Sequence, residues 1–179
     1  MSLSIREAVP EDYEALSRLV TDAYQEFAET VGDDWESYRE ELADIASRAT
    51  RGSQFVAEME GRPVGTVSYY PPRDGEPVAD EWWWWPKGYA YLRALGVDPA
   101  SRGRGVGRAL TIACIDRARA DGAAGIALNT LSFMPAATAL YEGLGFHQAG
   151  DDWEWGGGKL LSYVQILTKS VSTLVESET

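Results

Sequence analysis

One mixed α/β domain is what these 179 residues predict, on three grounds. Stretches with strand character alternate with stretches whose apolar residues recur at helical spacing. Glu60-Gly61-Arg62-Pro63 joins two strand-like runs as a hairpin, so part of the sheet is antiparallel. The composition, 45% hydrophobic and 25% charged, is that of a globular chain long enough to bury roughly two thirds of its unfolded surface. Residues 1–169 are therefore expected to form a single domain, with residues 170–179, poor in apolar side chains, fraying as a tail.

From the N-terminus, residues 3–9 read as a strand, and Pro10-Glu11-Asp12 opens a helix with Ala15, Leu16, Leu19, Val20 and Ala23 as its apolar stripe. A second helix is expected over residues 35–49. Residues 54–59 and 64–70 are the two arms of the hairpin. Residues 71–87, with four prolines and a glycine, show no regular period and form a long loop. Strand character returns at 89–97, followed by a helix over 105–121 that ends at Gly122, a strand over 125–130, and a helix from Pro135 to Gly145. Residues 160–168 make the last strand. No internal repeat is present.

A net charge of -12 argues against a nucleic-acid partner, because phosphate binding needs a basic surface. The acids are unevenly spread: nine lie between Asp22 and Asp44 against the single base Arg39, a pattern that reads as a solvated helix face. Arg102, Arg104 and Arg108 instead sit in a segment without acids, so opposite-sign patches point to two ligands. No run of 18 or more apolar residues and no basic-then-apolar leader occurs, which predicts a cytoplasmic protein without a membrane span. The only cysteine, Cys114, reads as core, and with the only histidine, His147, it cannot make a zinc site, so no metal is expected. His147 reads as a surface residue at the start of a strand.

The chemistry concentrates in Gly96 to Leu110, where a strand ends in a glycine-rich turn that opens a helix. The first N–H groups of a helix lack internal partners and carry the positive end of its dipole, and glycines let an anion approach the chain. With each such bond to a charged group contributing about 1.5 to 3 kcal/mol, four or five donors hold a diphosphate. Two rival phosphate motifs fail: Gly107 is followed by Arg108 rather than the lysine of a Walker loop, and Arg108 occupies the third glycine position of the dinucleotide fingerprint.

Arg102-Gly103-Arg104-Gly105-Val106-Gly107 resembles the (Gln/Arg)-x-x-Gly-x-(Gly/Ala) signature of the GNAT superfamily of acyl-CoA-dependent N-acetyltransferases. Leu95-Gly96-Val97-Asp98-Pro99 looks like the end of that family's fourth strand. Downstream, Ala137 to Phe146 is similar to its A-x-x-L-Y-x-x-x-G-F motif. The resemblance implies a mixed, mostly antiparallel central sheet of six to seven strands, flanked by about four helices, with strands four and five splayed. It further implies acetyl-CoA as cosubstrate, with the backbone of Arg102, Gly103, Arg104, Gly105, Val106, Gly107 and Arg108 on the pyrophosphate and Leu95 and Val97 pairing with the pantetheine arm. Tyr141 matches the tyrosine that protonates the leaving thiolate. One departure is Met134, where the family often has asparagine; that helix cap or coenzyme contact is missing or is supplied by Asn129 or Ser132.

The implied reaction is direct attack of an amine on the thioester, within a ternary complex. An amine of pKa near 10 is only about 0.1% neutral at pH 7, so a base or an ordered water must help. Glu81 is the first candidate base, with Asp151, Asp152 and Glu154 as others. The run Trp82, Trp83, Trp84 and Trp85 lies where the family borders its acceptor cleft. These indoles read as an acceptor lid for a cationic small molecule or peptide amine, as the contact of a homodimer, or as packing against the domain. The alternative to an enzyme is a non-catalytic acyl-CoA sensor using the same tryptophans to meet a partner protein.

Overall fold

A computed structural model of the chain describes residues 2–74 and 85–167. One eight-stranded sheet runs through it in the order β1-β2-β3-β4-β5-β8-β6, with β7 paired to β8. The strands are β1 (Leu3–Glu7), β2 (Ser53–Met59), β3 (Arg62–Tyr70), β4 (Tyr89–Val97), β5 (Gly125–Leu131), β6 (His147–Gln148), β7 (Trp153–Trp155) and β8 (Gly158–Ile166). Every pairing is antiparallel except β4 with β5. The count exceeds the expected six to seven by one. The added piece is β7, whose Trp-Glu-Trp turns through Gly156 and Gly157 so that Trp155 faces Gly158.

Alternation sorts the core onto two faces. Phe55, Ala57 and Met59 of β2 join Val106, Leu110 and Cys114 of helix α5 (Val106–Ala120), together with Tyr141 of α6 (Pro135–Gly143). Val56, between them in sequence, joins Leu16 and Val20 of α1 (Tyr13–Tyr24), Leu42 of α3 (Trp35–Ala43) and Ile45 of α4 (Ile45–Ala49). Gly65 is where β3 meets α5: a Cβ there would lie 2.7 Å from Val106 Cγ1, so only glycine admits the helix this close. Cys114 is fully buried and unpaired, and burial pushes its thiol well above the usual range.

Several boundaries move for identifiable reasons. β1 stops at Glu7 because Val9 already accepts the Asp12 N–H in the 3-10 turn Pro10–Asp12. The helix expected over 35–49 is two helices. Asp44 leaves helical geometry at ψ 63° and its carboxylate accepts the Ser47 N–H at 3.2 Å, capping α4. The buried Arg48 then donates to the carbonyls of Glu41 and Leu42 and, at 2.9 Å, to Ser68 Oγ, tying the end of α3 to the sheet. Between α1 and α3 the chain forms short turns around α2 (Ala28–Val31), a stretch without a clear period in the sequence.

Candidate active site

β4 and β5 pair only from Tyr89 with Gly125 to Leu92 with Leu128, and beyond that they part, as expected for strands four and five. The divergence begins at a bulge. Ser68 faces Arg93 and Thr66 faces Gly96, so Ala94 and Leu95 together oppose Val67 alone. Ala94 sits at φ 53°, a left-handed conformation that costs an alanine about 1 kcal/mol or more. Both bulge residues, Ala94 and Leu95, border the opening left by β5.

A cavity of about 740 Å³ occupies that opening. One end is the glycine turn. Asp98 orders its entry by accepting the Ala100 N–H at 3.2 Å, and Gly103 and Gly105 adopt φ 75° and 79°. Gly105 is the left-handed residue just before α5. Among the described residues, the backbone N–H groups of Gly105, Val106, Gly107 and Arg108 have no protein acceptor, and all four residues line the cavity. The site thus presents donors, with the dipole of a 15-residue helix behind them, to an anion.

The side chains of the turn behave differently from its backbone. Arg102 donates to the Ala23 carbonyl at 2.9 Å and pairs with Glu26 at 2.5 Å, so its guanidinium fastens the turn to α1. Arg104 does not line the cavity, whereas Arg102 and Arg108 do. Leu95 and Val97 face the cavity from β4, and the Leu95 carbonyl accepts a hydrogen bond from Tyr24 Oη at 2.9 Å.

Tyr141 stands on α6, over the wall formed by the parted strands, and is 5% exposed. Burial is the first cause that holds its phenol protonated well above pH 10, reinforced by the neighbouring Tyr24, Cys114 and Tyr91. No side-chain hydrogen bond ties its hydroxyl among the described residues. Asn129 also lines the cavity, with its amide engaged at both ends: Nδ2 donates to Ser162 Oγ at 2.7 Å and Oδ1 accepts from Tyr91 Oη. Ser132 Oγ accepts the Lys159 N–H at 2.9 Å. Neither residue caps α6. Its N-cap, Met134, makes no side-chain cap bond, and Pro135 at the next position lessens the cost because it has no N–H to satisfy.

The far end of the cavity is aromatic. Tyr24, Phe27, Tyr38, Phe133 and Trp155 line it, all half-buried, from five separate segments. The sequence marks this wall only through the alternating Trp153-Glu154-Trp155 before Gly156-Gly157, which is a hairpin signal. Arg93 lines the same region and pairs with Glu41 of α3. With Glu26 on Arg102, Glu36 on Arg39 and Asp44 capping α4, four acids of the 22–44 run have internal partners, so that run is only partly a solvated face.

Of the predicted acceptor residues, Glu81, Trp82, Trp83 and Trp84 lie outside the described residues. Trp85 is 9% exposed, stacks on Tyr70 at 5.8 Å, donates to the Tyr89 carbonyl at 2.6 Å and carries Arg73 over its ring at 4.1 Å. It does not line the cavity but backs Tyr91, which does. Asp151, Asp152 and Glu154 are exposed and also absent from the lining, and His147 is exposed at the start of β6. Among the described residues no group of three or more His, Cys, Asp or Glu side chains is placed to hold a metal, and no helix is long and apolar enough to cross a membrane.

A mixed sheet that opens between two parallel strands above a glycine-rich helix start defines the GNAT-like fold. The profile of the Acetyltransferase (GNAT) family matches residues 14–146, and the chain belongs to that family. Mouse (Mus musculus) N-acetyltransferase 8 is 32% identical over an alignment of 144 residues, and the match covers 75% of this chain and 55% of that protein. The chain spans about half the length of the curated relatives it matches. Among solved structures, the histone acetyltransferase HPA2 and related acetyltransferase of Corynebacterium glutamicum superposes with a TM-score of 0.71 at 24% identity, over 96% of this chain and 99% of that one. Salmonella typhimurium yncA, solved with its cofactor acetyl-CoA, gives 0.67 at 20% identity over 96% and 98%. At these identities the superpositions establish the shared fold.

Proposed function

We propose that the chain transfers an acetyl group from acetyl-CoA to a primary amine by direct attack in a ternary complex. The observation that carries this reading is the continuity of one cavity: it joins the unpaired amides of residues 105–108, the parted edges of β4 and β5, and Tyr141. The backbone of residues 103–108 would hold the pyrophosphate, and the bulged edge of β4 at Ala94 to Val97 would align the pantetheine arm and thioester.

The chain's own groups then divide the work. The amine nitrogen forms a bond to the thioester carbon, a backbone N–H of the β4 bulge stabilises the oxyanion, and the carbon–sulfur bond breaks. Tyr141, held neutral by burial, gives its proton to the departing thiolate and regains one through solvent. The proton lost by the amine goes to an ordered water or to Glu81, the carboxylate that the sequence places beside the acceptor region.

Titration calorimetry with CoA, followed by thiol release from acetyl-CoA across a panel of primary amines, tests the reading. Micromolar CoA binding with amine-dependent thiol release and an acetylated product of the expected mass is the predicted result. Binding without turnover on any amine would favour an acyl-CoA sensor, and absence of CoA binding would overturn both.

A further inference from the structure

We infer that the acceptor is a monoamine carried on an aromatic or similarly flat apolar body, seated among Tyr24, Phe27, Tyr38, Phe133 and Trp155. This deepens the proposed transferase reading and rests on it. The five rings meet edge to face or tilted, with centroids 6.2 Å apart for Tyr24 and Phe27, 6.0 Å for Tyr24 and Tyr38, 5.7 Å for Phe27 and Phe133, and 4.9 Å for Tyr38 and Trp155. Each is largely covered by protein but keeps some exposed surface, and each borders the cavity. Beneath them lie Leu131, Met134 and Leu160, so the floor is apolar as well. Such a chamber rewards a flat apolar body by burial and by ring-to-ring contact.

The charge of the described lining disfavours a polyamine. Among the described residues that line the cavity the only carboxylate is Glu26, and it is already paired with Arg102. Arg93 and Arg102 already hold Glu41 and Glu26, so neither acid is left as a counter-ion, and Arg108 adds positive charge to the lining. A second or third ammonium would find no free carboxylate among the described lining residues, whereas a single reacting amine loses its charge on acetylation. The net charge of -12 still favours approach of a cation from solution, so the selection is made inside.

The size of the chamber is set by a contact distant in sequence. The turn between β7 and β8 rests on the end of α2. A Cβ on Gly157 would lie 2.3 Å from the Thr30 carbonyl oxygen, and Gly156, at φ 57°, leaves room for a Cβ only 3.3 Å from Val31 Cα. This seat holds Trp155 against Tyr38. Trp155 is thus a specificity-determining residue, and Gly157 a positioning one.

The test uses the full chain with acetyl-CoA and compares 2-phenylethylamine and tryptamine with n-butylamine and spermidine. Arylalkylamines are expected to exceed spermidine by about tenfold or more in kcat/KM. Trp155→Ala should raise KM for 2-phenylethylamine about tenfold while leaving kcat within about twofold and CoA affinity unchanged, with Trp155→Phe restoring most of the loss. Equal or better use of spermidine or n-butylamine, or a Trp155→Ala loss that falls equally on all amines, overturns the inference. Calorimetry of the CoA-saturated protein separates the two readings. Tryptamine binding that Trp155→Ala weakens about tenfold, with no acetylated product from any amine, upholds the chamber and sinks the transferase; tighter binding of spermidine, or binding of neither, sinks the chamber.

Discussion

Tyr24, at the last turn of α1, donates its phenolic hydrogen to the carbonyl oxygen of Leu95 in the β4 bulge, at 2.9 Å. Burial raises this phenol to about 12, so it remains a donor throughout the neutral range. The bond pins the free edge of β4 where β5 no longer supports it. Tyr24→Phe removes the donor and leaves a carbonyl unpaired at the cavity wall, so thermal or chemical denaturation should show a loss of about 1–2 kcal/mol. CoA affinity should also weaken several-fold by calorimetry, since Leu95 borders its proposed site.

Gly105 holds φ 79° immediately before α5. A Cβ added there would meet nothing within 4 Å, so the effect of Gly105→Ala is conformational rather than steric. Stability should fall by about 1 kcal/mol and CoA binding by roughly five- to tenfold as the amides of residues 106–108 lose their aim. Titration of the variant with CoA measures both directions of this expectation, because unchanged affinity would detach the turn from coenzyme binding.

Tyr141→Phe keeps the ring and its edge-to-face contact with Phe146 at 5.7 Å while deleting the hydroxyl. The expected result is a fall of about 10²-fold in kcat with little change in stability or acceptor KM. Burial holds the wild-type phenol protonated well above its usual value of 10, so Tyr141 should impose no alkaline decline on the rate below about pH 10. Single-turnover thiol release across pH distinguishes this from a group titrating near neutrality.

Asp12 accepts hydrogen bonds from Arg6 at 2.8 and 3.0 Å and from the Val9 N–H at 2.8 Å. Chiefly through Arg6, its carboxyl is held down at about 2, below an unfolded value near 3.8. A depressed carboxylate stabilises the fold fully above the unfolded value and loses that contribution as pH falls through the folded one. Asp12→Asn should therefore cost about 1–2 kcal/mol at pH 7, and the difference from wild type should shrink between about pH 4 and pH 2. Urea unfolding at several pH values reads this directly.

Elements whose cause is local are legible in the linear chain. The glycine turn at 103–107, the strand over residues 89–97 and the helix opened by Pro135 follow from backbone preferences and short-range apolar spacing, which need no distant partner to be seen. For the same reason the family motifs are recognisable in order. Asp44 is harder: its capping bond to Ser47 competes with helix continuation, and the apolar period runs on across it.

What depended on folding is the set of relations between residues far apart in the chain. Arg48 on Ser68, Arg93 on Glu41, and Tyr38 against Trp155 join segments whose approach is fixed only once both faces of the sheet are covered. The acids between residues 22 and 44 carry the same charges in an extended chain as in the fold, yet their partners come from β4 and the glycine turn as well as from neighbouring helix positions. Composition specifies how much charge and aromatic surface the chain owns. Packing assigns each group its partner, because Coulomb and van der Waals interactions depend on separation in space rather than along the backbone.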